Sequence, residues 1–138
     1  MIDGSSKMDK RILCVDDDTA MRDVLISMCS VWGYNIQCSS GVDEAIEMFE
    51  AIQPFLVITD LRLSNHIDGV TLADRLHRLD PLCIFIALSG FVSSFDLGYL
   101  LGAVFTDVLL KPFRPETLKR IVDYAWEKRI RWDSLNGH

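Results

Sequence analysis

The sequence predicts a doubly wound α/β sandwich, a five-stranded parallel sheet with helices on both faces. Three observations predict it. Short apolar runs alternate with longer stretches whose apolar residues recur at helical spacing. Most of the short runs are apolar enough to be covered on both faces, the habit of parallel rather than antiparallel strands. Five such βα units follow one another, and each parallel crossover must be right-handed and bring its helix back over a sheet face.

Arg11 to Val15 is the first strand, and it runs into the acidic stretch Asp16, Asp17, Asp18. Thr19 to Trp32 follows as a helix with an Asp as N-cap, since Met21, Val24, Leu25, Met28, Val31 and Trp32 recur at helical spacing and Gly33 supplies a stop. Asn35 to Cys38 is the second strand, and Val42, Ala45, Ile46 and Phe49 repeat the helical stripe. Phe55 to Thr59 is the third. Val70, Ala73, Leu76 and Leu79 make the next helix, which Asp80-Pro81 ends because the residue before a proline is pushed out of the helical region. Cys83 to Leu88 and Asp107 to Leu110 are the fourth and fifth strands, and Leu118, Ile121, Val122, Ala125 and Trp126 mark a long final helix. Between those strands, Phe91 to Leu101 is apolar nearly all round and contains Gly98, so its period is the least defined.

A chain of 138 residues, 49% apolar and 25% charged, holds one domain with a proper core and leaves no room for a second folded output domain. Its formal charge of −6 argues against nucleic acid or an anionic membrane as main partner. Protein partners and a cation are easier to accommodate. Cys14, Cys29, Cys38 and Cys83 form no C-x-x-C pair, and three lie in apolar runs where Cys serves as a small hydrophobe. They read as reduced, which fits a cytoplasmic location. The opening MIDGSSKMDK has no apolar core of a signal peptide, no run approaches a membrane span, and residues 1–9 read as a flexible lead.

In open parallel sheets the site lies beyond the carboxyl ends of the strands. There the chain offers Asp16 and Asp17, Asp60, Ser89 and Lys111, from four of the five strands. Each has a plain explanation as a cap, a turn residue or a loop cation. Together on one edge they do not. Adjacent carboxylates about 4 Å apart repel by roughly 4 kcal/mol at an effective dielectric near 20, so either water reaches them freely or a cation neutralises them. Carboxylate and carbonyl oxygens suit Mg²⁺, and a carboxylate can itself accept a phosphoryl group while Mg²⁺ and a Lys neutralise its charge. The group reads as a phosphoryl-accepting carboxylate site.

The stretches ILCVDDD, LVITDLRLSNHIDG, FIALSG and LLKPFRPETL, in this order, resemble a response-regulator receiver domain, the phospho-acceptor module of two-component signalling. The resemblance covers residues 10–132 and leaves 133–138 as a tail. It implies the flavodoxin-like order 2-1-3-4-5 for the sheet. It also implies Asp60 as the phosphorylated residue, Asp17 as a direct Mg²⁺ ligand with Mn²⁺ able to stand in, Asp16 holding the ion through water, and the backbone carbonyl of Arg62 completing the protein ligands. Asp18 then lies outside the site as a cap or surface acid. Ser89 and Lys111 match the groups that contact the phosphoryl oxygens, and the Lys111-Pro112 bond is expected to be cis.

Three departures stand out. Val108 occupies the position of the usual switch aromatic, three residues before the lysine, so output must take another route or be weak. The loop after Asp60 lacks the usual Pro and is one residue longer. Arg62 and Phe91 occupy the positions where the family tunes phosphoryl lifetime, and bulky Phe91 is expected to shield the acyl phosphate from water. His66, near the site, has no assigned role, and His77 is expected on the exposed side of its helix.

The implied partners are a sensor histidine kinase or phosphotransfer protein and a downstream protein or effector domain. A homodimer through the apolar stretch Phe91 to Phe105 competes with deep packing of that stretch. Two other classes are weighed. A degenerate receiver acting as a phosphorylation-independent adaptor or dimerisation module is favoured by Val108 and opposed by the intact Asp16, Asp17, Asp60, Ser89 and Lys111. A Mg²⁺-dependent phosphohydrolase with an aspartate nucleophile would want an acid two residues past it, where Arg62 stands, so a metabolic enzyme is not expected.

Overall fold

The structure is a computed structural model and describes residues 9–63, 67–90 and 104–136. In chain order its elements are β1 (Arg11–Val15), α1 (Thr19–Val31), β2 (Asn35–Ser39), α2 (Val42–Ile52), β3 (Leu56–Asp60), β4 (Arg62–Leu63), β5 (Ile67–Asp68), α3 (Gly69–Leu79), β6 (Ile84–Ser89), β7 (Asp107–Leu110) and α4 (Pro115–Leu135). Five strands form one parallel sheet in the order β2-β1-β3-β6-β7. This is the expected 2-1-3-4-5, because β4 and β5 pair only with each other in a two-residue antiparallel ribbon. The ribbon was not predicted, and two residues are too few to show a strand period.

The strands are buried on both faces because their side chains alternate. Ile12, Cys14, Ile58, Ile86 and Leu88 pack with Leu25 and Cys29 of α1 and with Leu118, Val122 and Ala125 of α4. Leu13, Val15, Val57, Phe85 and Ala87 pack on the other side with Ala45 and Phe49 of α2 and with Leu72, Ala73 and Leu76 of α3. A continuous apolar run in the sequence thus becomes one strand feeding two cores.

Helix faces follow the predicted stripes with local differences. Val31 is 82% exposed, whereas Cys29, outside the predicted stripe, is buried. Cys29 lies one turn beyond the buried Leu25, while Val31, six residues on from Leu25, is rotated away by about 120°. On α3, Leu72 is buried and Leu79 is 52% exposed. His77 corrects its expectation: it is half-buried, its ring meeting that of Phe85 edge-on at 6.0 Å between centroids. Gly33, the predicted stop, takes a φ of +92°, which a glycine adopts without a Cβ penalty. The last helix runs on to Leu135, into the stretch read as tail. Among the described residues no helix is long and apolar enough to cross a membrane.

Candidate functional site

The central position of β1 and β3 brings two acidic strand ends side by side. Asp16 follows β1 directly, and its backbone N–H donates to the Ser39 carbonyl at 3.0 Å, which keeps it in line with the sheet. Its side chain is fully buried. Oδ1 of Asp16 accepts the Asp18 N–H at 2.9 Å, and the Arg22 guanidinium donates to the Asp16 backbone carbonyl at 2.7 Å. Asp17 is exposed. Asp18 points away from this chemistry: its Oδ1 accepts the Ala20 N–H at 3.0 Å as the N-cap of α1. Three consecutive carboxylates therefore meet three different environments.

Asp60 ends β3, and its Oδ1 accepts the Arg62 N–H at 3.0 Å. Behind it the backbone is crowded by Gly69 at the start of α3. A Cβ on Gly69 would lie 2.2 Å from the Asp60 carbonyl oxygen and 3.1 Å from Thr59 Oγ1, so a hydrogen is all that fits. The Gly69 N–H also donates to the Leu61 carbonyl at 2.7 Å, fixing the helix start against the acceptor strand.

Lys111 arrives from β7. Its Nζ donates to Asp60 Oδ2 at 3.1 Å and to Asp16 Oδ2 at 3.4 Å. Its backbone N–H donates to the Ser89 carbonyl at 2.7 Å, which ties the end of β7 to the end of β6. Ser89 is buried one residue beyond Leu88, the register partner of Asp60. The Lys111-Pro112 peptide is cis, as the resemblance implied.

Burial raises the Asp16 carboxyl above its ordinary pKa. The Asp18 N–H and Lys111 oppose this, and the Asp60 charge adds to it. Burial also works against the charged form of Lys111, but the hydrogen bond it donates to Asp60 and the charge of Asp16 outweigh it, so its pKa is raised and the ammonium is retained. One carboxylate oxygen from each of Asp16, Asp17 and Asp60 lies within 4.8 Å of the others. Three carboxylates face one ammonium, an excess a divalent cation balances, and hard oxygen donors at this spacing fit Mg²⁺.

The sequence-predicted residues Asp16, Asp17, Asp60 and Lys111 thus meet at one edge, with Ser89 at the neighbouring strand end. Val108 is half-buried and packs against the core under α2 and α3. Phe91, His66 and most of Phe91 to Phe105 lie outside the described residues; at the end of that stretch, Phe105 is buried in the same core. Arg22 and Gly69 were not singled out from sequence. Nothing in the spacing marks Arg22, whereas a glycine closing the loop after a candidate acceptor was an available signal.

The family described as response regulator receiver domain matches residues 12–123. Among curated proteins, the chain is 31% identical over 110 residues to the alkaline phosphatase synthesis transcriptional regulatory protein PhoP of Bacillus subtilis, covering 78% of this chain and 45% of that protein. It is 32% identical over 112 residues to a protein of Porphyridium aerugineum named "Probable transcriptional regulator ycf27", covering 80% of this chain and 45% of that one. The matched part of the chain therefore covers less than half the length of these relatives. Among solved structures, a CheY-like receiver domain protein of Methanospirillum hungatei superposes with a TM-score of 0.82 at 26% identity, over 89% of this chain and 98% of that one. A signal receiver domain from Vibrio parahaemolyticus gives 0.87 at 25% identity, over 94% of this chain and 99% of that one.

Proposed function

This chain belongs to the response regulator receiver domain family, and on that premise we propose that it accepts a phosphoryl group on Asp60 from a histidine kinase or phosphotransfer protein and thereby switches its binding to a downstream protein. The observation that carries this reading is the Lys111 ammonium bonded at once to Asp60 and Asp16. It holds a positive charge beside the acceptor before any phosphoryl group arrives.

In the reaction an Asp60 carboxylate oxygen attacks phosphorus, an O–P bond forms, the N–P bond of the donor phosphohistidine breaks, and the imidazole leaves. Asp16, Asp17, Asp60 and the Arg62 carbonyl would hold Mg²⁺, or Mn²⁺ in its stead. Such an ion neutralises charge on the transferring phosphoryl oxygens. Lys111 and Ser89 then contact those oxygens as donors. Arg62 and Phe91 tune how fast water removes the group, with Phe91 shielding it. Residues 10–132 form the receiver unit, acting in the cytoplasm as a phospho-acceptor rather than a metabolic enzyme. A homodimer through residues 91–105 is one route for output. Val108 favours a second reading, an adaptor indifferent to phosphorylation, because it removes the aromatic that couples the hydroxyl to the surface.

Intact mass after incubation with acetyl phosphate and Mg²⁺, for wild type and Asp60→Asn in parallel, decides between them. A labile gain of one phosphoryl group in wild type alone is expected. No adduct in wild type overturns the phospho-acceptor reading in favour of the adaptor.

A further inference from the structure

We infer that Cys38 and Cys14 close a disulfide across the β1–β2 seam when the protein meets a hydroperoxide, which makes this seam a redox modification site separate from the acidic edge. The parallel register pairs Cys14 directly with Cys38. Register partners on adjacent strands stand about 4.8 Å apart, inside the roughly 4.4–6.8 Å between Cα atoms that a disulfide spans. Both side chains belong to the apolar layer beneath α1, which also contains Cys29. All three are free thiols.

Their access to solvent differs. Cys14 and Cys29 are buried, whereas Cys38 is half-buried on β2, the edge strand of the sheet. A small oxidant reaches Cys38 first. A hydrogen bond from the Cys14 thiol holds the Cys38 thiol below its ordinary pKa; burial opposes this and the Arg22 charge supports it. Burial pushes the Cys29 thiol up to about 12, and Cys29 sits on α1, whereas Cys14 is the strand residue in direct register with Cys38.

The chemistry balances with hydrogen peroxide as the oxidant. The Cys38 sulfur attacks one peroxide oxygen, the O–O bond breaks, and Cys38 becomes a sulfenic acid as water leaves. The Cys14 sulfur then attacks the Cys38 sulfur, the S–O bond breaks, and a second water leaves as the S–S bond forms. Two thiols lose two electrons and two protons to one peroxide.

The test uses the folded, full-length protein. It is treated with hydrogen peroxide, unfolded in N-ethylmaleimide, and digested with trypsin and chymotrypsin, so that cleavage at Arg22 and at Trp32 or Tyr34 separates Cys14, Cys29 and Cys38. The expected product is a Cys14 peptide linked to a Cys38 peptide, released by dithiothreitol, with Cys29 and Cys83 labelled. Overturning results are a Cys38 sulfinic acid beside a labelled Cys14, a Cys38–Cys29 link, a Cys38 link between two chains, or four labelled thiols.

Discussion

Gly69 and Asp123 show how single residues set the behaviour of the chain. Gly69→Ala forces a methyl group into the Asp60 carbonyl, so β3 and α3 must separate. We expect a loss of about 1–3 kcal/mol in urea unfolding and slower phosphorylation by acetyl phosphate, because the displaced backbone belongs to the acceptor residue. Asp123 accepts Lys119 Nζ at 2.6 Å and the Tyr34 hydroxyl. Burial pushes its carboxyl up, but these two hydrogen bonds outweigh it and the net shift is downward. Between the ordinary aspartate pKa and the lower folded value, the unfolded chain binds the proton first. The contribution is therefore whole above the unfolded pKa and is lost as pH falls through the folded one. Asp123→Asn should flatten the fall in stability of the wild type on that acid limb. Tyr34→Phe should cost about 1 kcal/mol near neutral pH, at the low end for a hydrogen bond to a charged group because solvent screens the partly exposed carboxylate. An acid limb in Asp123→Asn as steep as that of wild type, or a urea midpoint of Tyr34→Phe equal to wild type near neutral pH, would contradict the assignment.

At the scale of elements, α1 and α4 hold the sheet face on which Cys14 lies, and they do so by different means. The start of α1 depends on the Asp18 cap, so Asp18→Ala should lose about 1 kcal/mol and Asp18→Asn much less. Phosphorylation of either variant should match wild type, since Asp18 stands outside the acidic group formed by Asp16, Asp17 and Asp60. A large loss of phosphorylation in folded Asp18→Asn would bring Asp18 back into the site. The hold of α4 lies in burial: Leu118 is fully enclosed, and Leu118→Ala should cost about 2–5 kcal/mol through transfer and cavity terms. Both values are read from urea midpoints at constant slope.

Across the whole molecule, the parallel sheet gathers one repulsive set of charges at its carboxyl edge. The fold tolerates Asp16 there with its pKa raised, and relief of this tension links cation binding to stability. Mg²⁺ should raise the unfolding midpoint by an amount that grows as RT ln(1 + [L]/Kd), and Asp17→Asn should blunt the gain. An equal gain in wild type and Asp17→Asn would remove Asp17 from the ligand set.

The five strands, four of the helices and the residues at each strand end were legible in the sequence, because alternation, helical period, Gly33 and Asp80-Pro81 are local signals carried within a few residues. So were Asp16, Asp17, Asp60 and Lys111 as a set, since a parallel sheet sends every strand end to the same edge. Tertiary structure alone decided which oxygen Lys111 holds, that Gly69 abuts the Asp60 carbonyl, that Arg22 clasps the carbonyl of Asp16, and that Cys14 faces Cys38 across a strand register. Each of those depends on distances between segments far apart in the chain, or on the rotation of a helix about its axis. Periodicity fixes a face to within a turn, but only packing fixes which atom touches which.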